Sequence, residues 1–394
     1  MKVLISAVGN TDPIRNFHDG ALVHIARRYR PDKIIIVFSE ELIRKKDDIE
    51  KVIRSIDSEY LPEIVYHEPI ILNNEVHIFD TMFDQFDDII REYYTKDDEF
   101  ILNLSSATPQ VKSALFVINR LSEINVKAVQ VSSPENDSNA GVGHDDSEDI
   151  DALIDTNLDN KQDYIDRTIE DTSEKFKQGL MKKTLRDFIK KYDYKASLEI
   201  ANQLPDFSGL KDCRKKLQDI VDSLDRQDIP QLLQKKKWSE EQKKVLNAYL
   251  TIDLQKERGN FSEGLIRIKN LTEFILEDYI ESRYPGFLDN YVSESEKYYL
   301  GIWDYSKILK EKHEWNQYKK IKPVINVNST RNTVAHKLDP LDSEELKQLG
   351  PVLKTLKGLV KEQYQLTEKD FNFYKDLNKA VSYTHLTLPT IYSV

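Results

Sequence analysis

A short polar motif, Arg331-Asn332-Thr333-Val334-Ala335-His336, carries the side chains of this chain that are best suited to acid–base chemistry. The imidazole of His336 can exchange a proton near neutral pH, and the guanidinium of Arg331 matches two phosphate oxygens. In a helix, Asn332 and His336 share one face because they are four residues apart. This set suits cleavage of RNA by its own 2′-hydroxyl, with His336 moving protons, Arg331 holding the phosphate charge and no metal required.

The spacing of Arg331 and His336 is weak evidence of function by itself, because an Arg and a His at one fixed spacing recur by chance in many chains. The residues that precede the motif therefore have to be considered with it. In this acidic chain, the segment 307–322 interleaves lysines with aromatic residues, as single-stranded RNA binding requires. These residues are Lys307, Lys310, Lys312, Trp315, Tyr318, Lys319, Lys320 and Lys322. A solvated helix face explains the lysines equally well. Ser329 or Thr330 is a good N-cap, so we predict that a helix starts there and that Pro340 stops it.

A second set of small polar residues follows three predicted strands, at the edge where open α/β sheets bind ligands. One of these segments leads into a helix opened by Pro109, whose free N–H groups can bind a phosphate. The candidate ligand-binding residues are Gly9, Asn10, Thr11, Ser39, Ser105, Ser106, Thr108, Gln110 and Lys112. Capping of the helix is the simpler explanation of the Ser-Thr cluster. The glycine-rich fingerprints of dinucleotide and ATP sites are absent from the sequence.

The elements that must position these residues follow from the apolar pattern. The first 135 residues alternate short β-branched runs with amphipathic stretches, which is typical of β-α-β units on a largely parallel sheet. The predicted strands are 3–8, 34–38, 63–66, 100–104 and 127–131, and a helix is predicted for 109–121. An acidic loop at 135–160 marks a boundary, and the pattern after Lys161 is helical throughout, including a long helix at 263–283.

This pattern predicts an α/β, Rossmann-like N-terminal domain at 1–150, an all-α linker at 151–238 and an all-α domain at 239–380. The last stretch, 381–394, has no charged residue in a chain that is 32% charged, and it resembles a translated sequencing adapter. We therefore predict that it is not part of the native fold. The alternative is a native apolar tail that packs as a strand.

Composition narrows the class of protein further. With 394 residues, a formal charge of -11 and a pI near 5.4, the chain does not coat nucleic acid through its overall field. Its one cysteine, Cys213, excludes a disulfide framework, and no segment approaches the roughly 18 apolar residues of a membrane span. We expect a soluble, cytoplasmic protein. His18, His24, His67 and His77 show no metal spacing, and of these His18 is a weak candidate for ligand contact.

The helical unit with Arg331, Asn332 and His336 resembles a HEPN ribonuclease domain, whose motif is Arg, a polar residue and a His with four to six residues between Arg and His. The N-terminal unit resembles a CARF domain, the sensor of cyclic oligoadenylates. The resemblance rests on Gly9-Asn10-Thr11-Asp12-Pro13 after the first strand and on Leu104-Ser105-Ser106-Ala107-Thr108-Pro109-Gln110 after the fourth. In this order, and with a helical linker, the units resemble the stand-alone accessory ribonuclease of type III-A CRISPR systems over residues 1 to about 380.

The resemblance implies a homodimer that cleaves single-stranded RNA when a cyclic oligoadenylate binds, with cyclic hexa-adenylate favoured over cyclic tetra-adenylate. It also implies that the sensor slowly cleaves its activator through Asn10 and Thr108. The protein would be functionally linked to the type III-A effector complex without being a stable subunit of it, and it would need no metal. The alternative is a ligand-responsive module that binds RNA or a partner without cutting. A transcription factor is not favoured, because no basic helix-turn-helix stands out.

Overall fold

A computed structural model of the chain describes residues 1–121, 124, 126–134, 149–233, 238–295, 299–332 and 343–384. The chain divides into two compact units, Met1–Glu174 and Lys175–Val394. The first is a mainly parallel α/β unit and the second is helical.

The first unit contains a six-stranded sheet of order β5-β4-β1-β6-β7-β8, in which β8 alone is antiparallel to its neighbour. Its strands are β1 (Lys2–Ala7), β4 (Lys33–Val37), β5 (Glu63–Tyr66), β6 (Glu99–Asn103), β7 (Val126–Val131) and β8 (Thr168–Glu170). A separate two-stranded hairpin consists of β2 (Ile14–Arg15) and β3 (His18–Asp19). The five parallel strands confirm the five strands predicted from the sequence.

Helices cover both faces of this sheet, which explains why its strands are continuous apolar runs rather than alternating ones. The helices are α1 (Ala21–Tyr29), α2 (Lys46–Ser55), α3 (Phe79–Tyr93), α4 (Pro109–Leu121) and α5 (Ile150–Thr156). Strand residues Val3 and Ile5 pack in one apolar cluster with α3 and α4, whereas Leu4 packs in the other cluster with α1 and α2. The helix predicted at 109–121 is confirmed.

The boundary of the first unit lies at Glu174, not at residue 150 as the acidic loop suggested. The reason is that β8 pairs with β7 and so adds a strand where the sequence predicted helix throughout. The segment before β8 also folds onto this unit, since Leu158 N–H donates to the carbonyl of Phe17 at 2.7 Å. The prediction that everything after Lys161 is helical was therefore wrong for β8.

The second unit is built from helices that share one apolar core, so the predicted linker does not form a compact unit of its own. The helices up to residue 311 are α6 (Glu174–Lys190), α7 (Tyr194–Gln203), α8 (Leu210–Arg226), α9 (Glu240–Glu257), α10 (Phe261–Arg283), α11 (Phe287–Ser295) and α12 (Ile302–Glu311). They are followed by α13 (Trp315–Asn332), α14 (Ser343–Tyr364), α15 (Glu368–Phe371) and α16 (Phe373–Thr384).

Local sequence signals explain the main helices of this unit. Ser239 caps α9 by a capping box with Gln242, at the position predicted for the start of the third domain. The apolar stripe of α10 lies in the core, with Leu265 and Ile275 almost fully buried, and Cys213 of α8 is buried in the same cluster. None of the described helices has the length and apolar character needed to cross a membrane.

The start of α13 and the end of α16 differ from the positions that the sequence suggested. Ser329 and Thr330 do not begin a helix, because α13 begins at Trp315 and continues through both of them to Asn332. Its apolar residues Ile321 and Val324 are buried, and this packing extends the helix past the expected cap. The non-native tail was predicted to begin at residue 381, but α16 continues to Thr384, and residues 385–394 lie outside the described part of the chain.

Candidate functional site

A cavity of about 380 Å³ opens at the carboxyl ends of β1, β4 and β6 in the first unit. Eight of the nine residues predicted to bind a ligand line it, and these are Gly9, Asn10, Thr11, Ser39, Ser105, Ser106, Thr108 and Lys112. The ninth, Gln110, lies half-buried in the first turn of α4 but is not among the lining residues. The cavity lies at the edge that the parallel topology predicts.

Gly9 is required by close contact between two loops. A Cβ atom at this position would lie 2.8 Å from the backbone nitrogen of Ala107 and 3.4 Å from Cα of Ser106. The loop after β1 can therefore approach the loop after β6 only without a side chain at Gly9. Ala107 itself has a left-handed backbone conformation, with φ of 77°. Both features bring the two polar loops together at one wall of the cavity.

Asp12, to which no role was predicted from the sequence, connects the two loops of this wall through hydrogen bonds. Its carboxylate is buried and accepts hydrogen bonds from Gly9 N–H at 2.9 Å, Ser106 Oγ at 2.8 Å and Leu22 N–H at 3.0 Å. Lys45 adds a positive charge and donates through Nζ to the carbonyl oxygens of Asn10 and Asp12. Burial raises the pKa of Asp12, although these hydrogen bonds and Lys45 favour its ionised form.

Asn103 positions the loop that follows β6. Its side-chain NH₂ donates to the hydroxyls of Ser6 and Ser106, at 2.9 and 2.8 Å, and its Oδ1 accepts the backbone N–H of Ser105 at 2.8 Å. Asn103 is fully buried, so these bonds satisfy an amide that would otherwise be costly to bury. The Ser105 hydroxyl in turn accepts the N–H of Val131 at 2.7 Å. The polar loop is therefore fixed to three neighbouring strands.

Thr108 caps α4 and also ties it to the opposite side of the cavity. Its hydroxyl donates to the carbonyl of Val76 at 2.8 Å and accepts from Val111 N–H at 3.3 Å. Lys112 follows in the first turn and lines the cavity. The helix N-terminus and this ammonium together favour an anionic group such as a phosphate. The prediction of capping is confirmed for Thr108.

The wall of the cavity opposite these loops was not predicted from the sequence. Glu41 and Asn73 line it, and their segments are joined because Asn73 Oδ1 accepts Glu41 N–H at 3.1 Å. Ser39, which was predicted, forms a parallel bridge with Ile71 in this region. Asn73 follows no predicted strand, so only the tertiary pairing of its segment with the end of β4 brings it to the site.

Three side chains of metal-binding type, Asp19, His24 and Asp159, lie together inside the first unit. Two guanidiniums already contact the carboxylates, since Arg27 Nε lies 2.6 Å from Asp19 Oδ2 and Arg167 Nη2 lies 2.8 Å from Asp159 Oδ2. His24 Nε2 accepts the backbone N–H of Arg167 at 3.0 Å, and its Nδ1 lies 3.1 Å from Arg167 Nη2 and 3.4 Å from Asp159 Oδ2. We interpret the cluster as a buried ion-pair network that holds the segment before β8 against α1.

This network sets the ionisation of Asp159. Burial by itself would raise the pKa of Asp159, but the hydrogen bond from His24 and the charge of Arg167 outweigh it and hold the pKa well below its usual range. His18, the weak candidate for ligand contact, lies 3.2 Å from Asp159 Oδ1 through its Nδ1 and is not a lining residue of the cavity.

The second set of predicted site residues lies at the end of α13. Arg331 and Asn332 are its last two residues, whereas His336 lies outside the described part of the chain. Their proposed catalytic roles therefore stay predictions.

The basic segment that precedes this motif is partly engaged inside the protein. Lys312 Nζ lies 3.8 Å from the ring centre of Phe287, and Lys310 Nζ lies 4.6 Å from that of Tyr318. Lys320 forms an ion pair with Glu362. Lys310 and Lys312 therefore pack against aromatic rings of the protein, whereas the exposed ion pair of Lys320 fits the solvated-face explanation.

Two family models match the chain in the order that the sequence predicted. The model described as the Cas_Csm6 CARF domain matches residues 63–168, and the one described as the Cas_Csm6 HEPN domain matches 232–326 and 287–382. The first match extends to β8, in agreement with the position of the unit boundary.

Curated relatives match nearly the whole length of the chain. It is 63% identical over 379 residues to the protein named CRISPR system endoribonuclease Csm6′ of Streptococcus thermophilus, covering 96% of this chain and 98% of that protein. It is 37% identical over 423 residues to CRISPR system endoribonuclease Csm6 of the same species, with the same two coverages.

A solved structure shares the fold. Enterococcus italicus Csm6 bound to cyclic hexa-2′-fluoro-hexa-dAMP superposes with a TM-score of 0.68 at 24% sequence identity, covering 97% of this chain and 99% of that one. The succession of an α/β unit and a helical unit is therefore the same in both proteins.

Proposed function

Because this chain belongs to the Csm6 family of CRISPR-associated proteins, with a CARF domain followed by a HEPN domain, we propose that it is an RNA endoribonuclease switched on by a cyclic oligoadenylate. Its role would be in type III-A antiviral defence, linked to the effector complex without being a stable subunit of it. The observation that carries the proposal is the cavity at the ends of β1, β4 and β6, in a chain whose full-length relatives are named endoribonucleases.

The cavity suits one repeating unit of such a ring. Phosphate would lie at the N-terminus of α4 beside Lys112, where the N–H groups and the ammonium favour an anion. Asn10 has an exposed side chain and a backbone carbonyl held by Lys45, so its amide is available to a ribose or base. A ring of identical units is best bound by two copies of one pocket, and a two-fold homodimer has two such pockets.

The nuclease centre would consist of Arg331, Asn332 and His336. In our proposal His336 transfers the proton between the 2′-hydroxyl of the RNA and the leaving 5′-oxygen, and Arg331 stabilises the charge of the phosphate. The products would carry a 2′,3′-cyclic phosphate and a 5′-hydroxyl. Transesterification needs a base and an acid, and two protomers of a dimer offer one histidine each. No metal enters this mechanism.

We call the cavity at the ends of β1, β4 and β6 the sensor cavity. We further propose that it slowly cleaves the ring through Asn10 and Thr108. The two residues follow the neighbouring strands β1 and β6 and both line the cavity. Among the described lining residues there is no histidine, and Glu41 is the one carboxylate. Cleavage would therefore depend on holding the 2′-hydroxyl in line with the phosphate, and it would be slow. We favour cyclic hexa-adenylate over cyclic tetra-adenylate as the activator.

The test is to incubate the purified protein with labelled single-stranded RNA and each synthetic cyclic oligoadenylate from the dimer to the hexamer. We expect cleavage with one ring size and none without a ring. His336→Ala serves as the control for contaminating nuclease. Ring-dependent binding of RNA without cleavage would overturn the nuclease proposal and favour the ligand-responsive binding module.

A further inference from the structure

A second cavity, of about 480 Å³, lies between α8, α9 and α10 of the helical unit. Its described lining contains three cationic side chains, Lys244, Arg258 and Arg267, four side-chain amides and no Asp or Glu. This is notable in a chain with a formal charge of -11. Phe274 adds a half-buried aromatic ring to the lining. A volume of this size is in the usual range for small-ligand sites.

Two of these cationic side chains form hydrogen bonds or ion pairs within the protein, whereas other polar side chains of the lining do not. Arg258 donates from Nε and Nη2 to the carbonyl of Tyr192, at 2.9 and 2.7 Å, and so fastens α9 to the end of α6. Arg267 uses its Nε for an ion pair with Glu263. Lys244 and Asn270 are exposed, and their side chains form no hydrogen bond with any residue that the structure describes. The ammonium of Lys244 and the amide of Asn270 are therefore available to a ligand.

Helix α13, which ends in Arg331 and Asn332, packs against α10, one of the helices that line the cavity. Tyr279 Oη and Arg283 Nη1 contact the carboxylate of Glu314, at 2.9 and 3.1 Å, so the C-terminal end of α10 meets the N-terminal end of α13. The two helices therefore run in opposite directions. Going back along α10 to Arg267 and forward along α13 to Arg331 each covers roughly 25 Å of helix. Arg267 in the cavity lining and the backbone of Arg331 therefore lie at similar distances along their helices from this contact.

We propose that this cavity is a nucleotide subsite for the single-stranded RNA substrate, which rests on the function proposed above. Lys244 and Arg267 would contact a phosphate, Phe274 would stack on a base, and the amide of Asn270 would reach a base edge. Proteins that bind single strands contact roughly 4–16 nucleotides, so the strand would contact the protein beyond the bond that is cut. The cavity is lined by α10, which packs against the helix that carries Arg331. The subsite would add affinity and a base preference away from the cut bond.

The experiment measures binding of fluorescent 2′-O-methyl oligoribonucleotides, which lack the 2′-hydroxyl nucleophile, by anisotropy at several salt concentrations. For a 12-nucleotide strand we expect Lys244→Gln to raise Kd about three- to tenfold and to reduce the slope of log Kd against log salt by about 0.7. Phe274→Leu is expected to raise Kd about tenfold with little change in that slope. The matched control is Lys243→Gln, which removes the same charge from the same helix where Lys243 pairs with Glu240.

The outcomes separate this subsite from the nuclease proposal. If Lys244→Gln and Lys243→Gln change Kd and salt slope equally, the subsite is wrong, whatever the protein does to cleavable RNA. If only the cavity variants weaken binding while no ring activates cleavage, the subsite stands and the nuclease proposal fails. Photo-crosslinking of a 4-thiouridine strand gives a second readout: we expect the crosslink in the peptide that contains Asn270 and Phe274, and a crosslink confined to other peptides would overturn the assignment.

Discussion

The hydroxyl of Ser106 donates a 2.8 Å hydrogen bond to the carboxylate of Asp12, although the two residues are 94 positions apart. This bond joins the loops that follow the neighbouring strands β1 and β6, and both loops line the sensor cavity. Asp12 also accepts the N–H of Leu22, in the first turn of α1. One buried carboxylate therefore links the shape of the cavity to the helix behind it.

The ionisation of Asp12 predicts a pH dependence of stability. Burial raises its pKa in the folded protein, so its contribution is fully present below the unfolded pKa of about 4 and is lost as the pH rises through the folded value. The free energy of unfolding of the wild type, relative to that of Asp12→Asn, should therefore fall as the pH rises above about 4. Urea unfolding of both proteins between pH 4 and 7.5 measures this difference. A difference that stays constant over this range would contradict the assignment.

The buried network around Asp159 predicts the opposite dependence. Its pKa is lowered in the fold, so the stability it contributes is present above about pH 4 and is lost as the pH falls through the folded value. Removing this charge leaves Arg167 buried beside a neutral amide, and we expect Asp159→Asn to lower the free energy of unfolding by about 3 kcal/mol at pH 7.

The control for this prediction is Asp151→Asn, which breaks the exposed pair with Lys51 and should change the free energy of unfolding much less. Chemical unfolding at pH 7 and at about pH 2.5 measures both variants. Equal losses for Asp159→Asn and Asp151→Asn at pH 7 would show that the buried network does not stabilise the first unit.

The sequence predicted the parallel strands because they are buried on both faces and therefore stand out as apolar runs. It did not predict β8, whose three residues include Ile169 with 55% of its surface exposed, so its pairing with β7 leaves no apolar pattern. Gly9 and Thr108 were found as candidates from local turn and capping signals. Asp12 was missed because its role depends on Ser106, which only tertiary packing brings to it.

We predict that His336→Ala and Arg331→Ala each lower RNA cleavage on the order of 10²-fold or more, because they remove proton transfer and charge stabilisation. Ring binding should be unchanged, since the sensor cavity lies in the other unit. His313→Ala is the matched control, because His313 lies in the same unit, before α13, and has no proposed role. Cleavage near the wild-type rate in both motif variants would refute the catalytic assignment.

The proposed mechanism also predicts the products and the effect of chelation. If the 2′-hydroxyl of the RNA is the nucleophile, the fragments end in a 2′,3′-cyclic phosphate and a 5′-hydroxyl, and cleavage continues in EDTA. Mass spectrometry of the fragments and a cleavage assay with EDTA check both points. Loss of cleavage in EDTA that magnesium or manganese restores would contradict this mechanism.

The last prediction concerns the lifetime of the activated state. If Thr108 helps to cleave the ring, Thr108→Ala should lengthen the period of RNA cleavage after one dose of ring at least several-fold. Thr108→Ser is the matched control, because it retains the hydroxyl that caps α4 and contacts the carbonyl of Val76. Asn10→Ala should instead weaken ring binding and raise the dose needed.

Loss of the cap must be separated from loss of ring cleavage, because Thr108→Ala is also expected to lower the free energy of unfolding by about 1 kcal/mol. A destabilised protein would lose activity sooner, whereas a protein that spares its ring would stay active longer, so the two effects have opposite signs. The measurement is the time course of RNA cleavage after a substoichiometric pulse of ring, with the ring followed by chromatography. If the wild type leaves the ring intact for as long as RNA cleavage continues, the cavity does not limit the signal, and Thr108 acts as a helix cap or ligand contact alone.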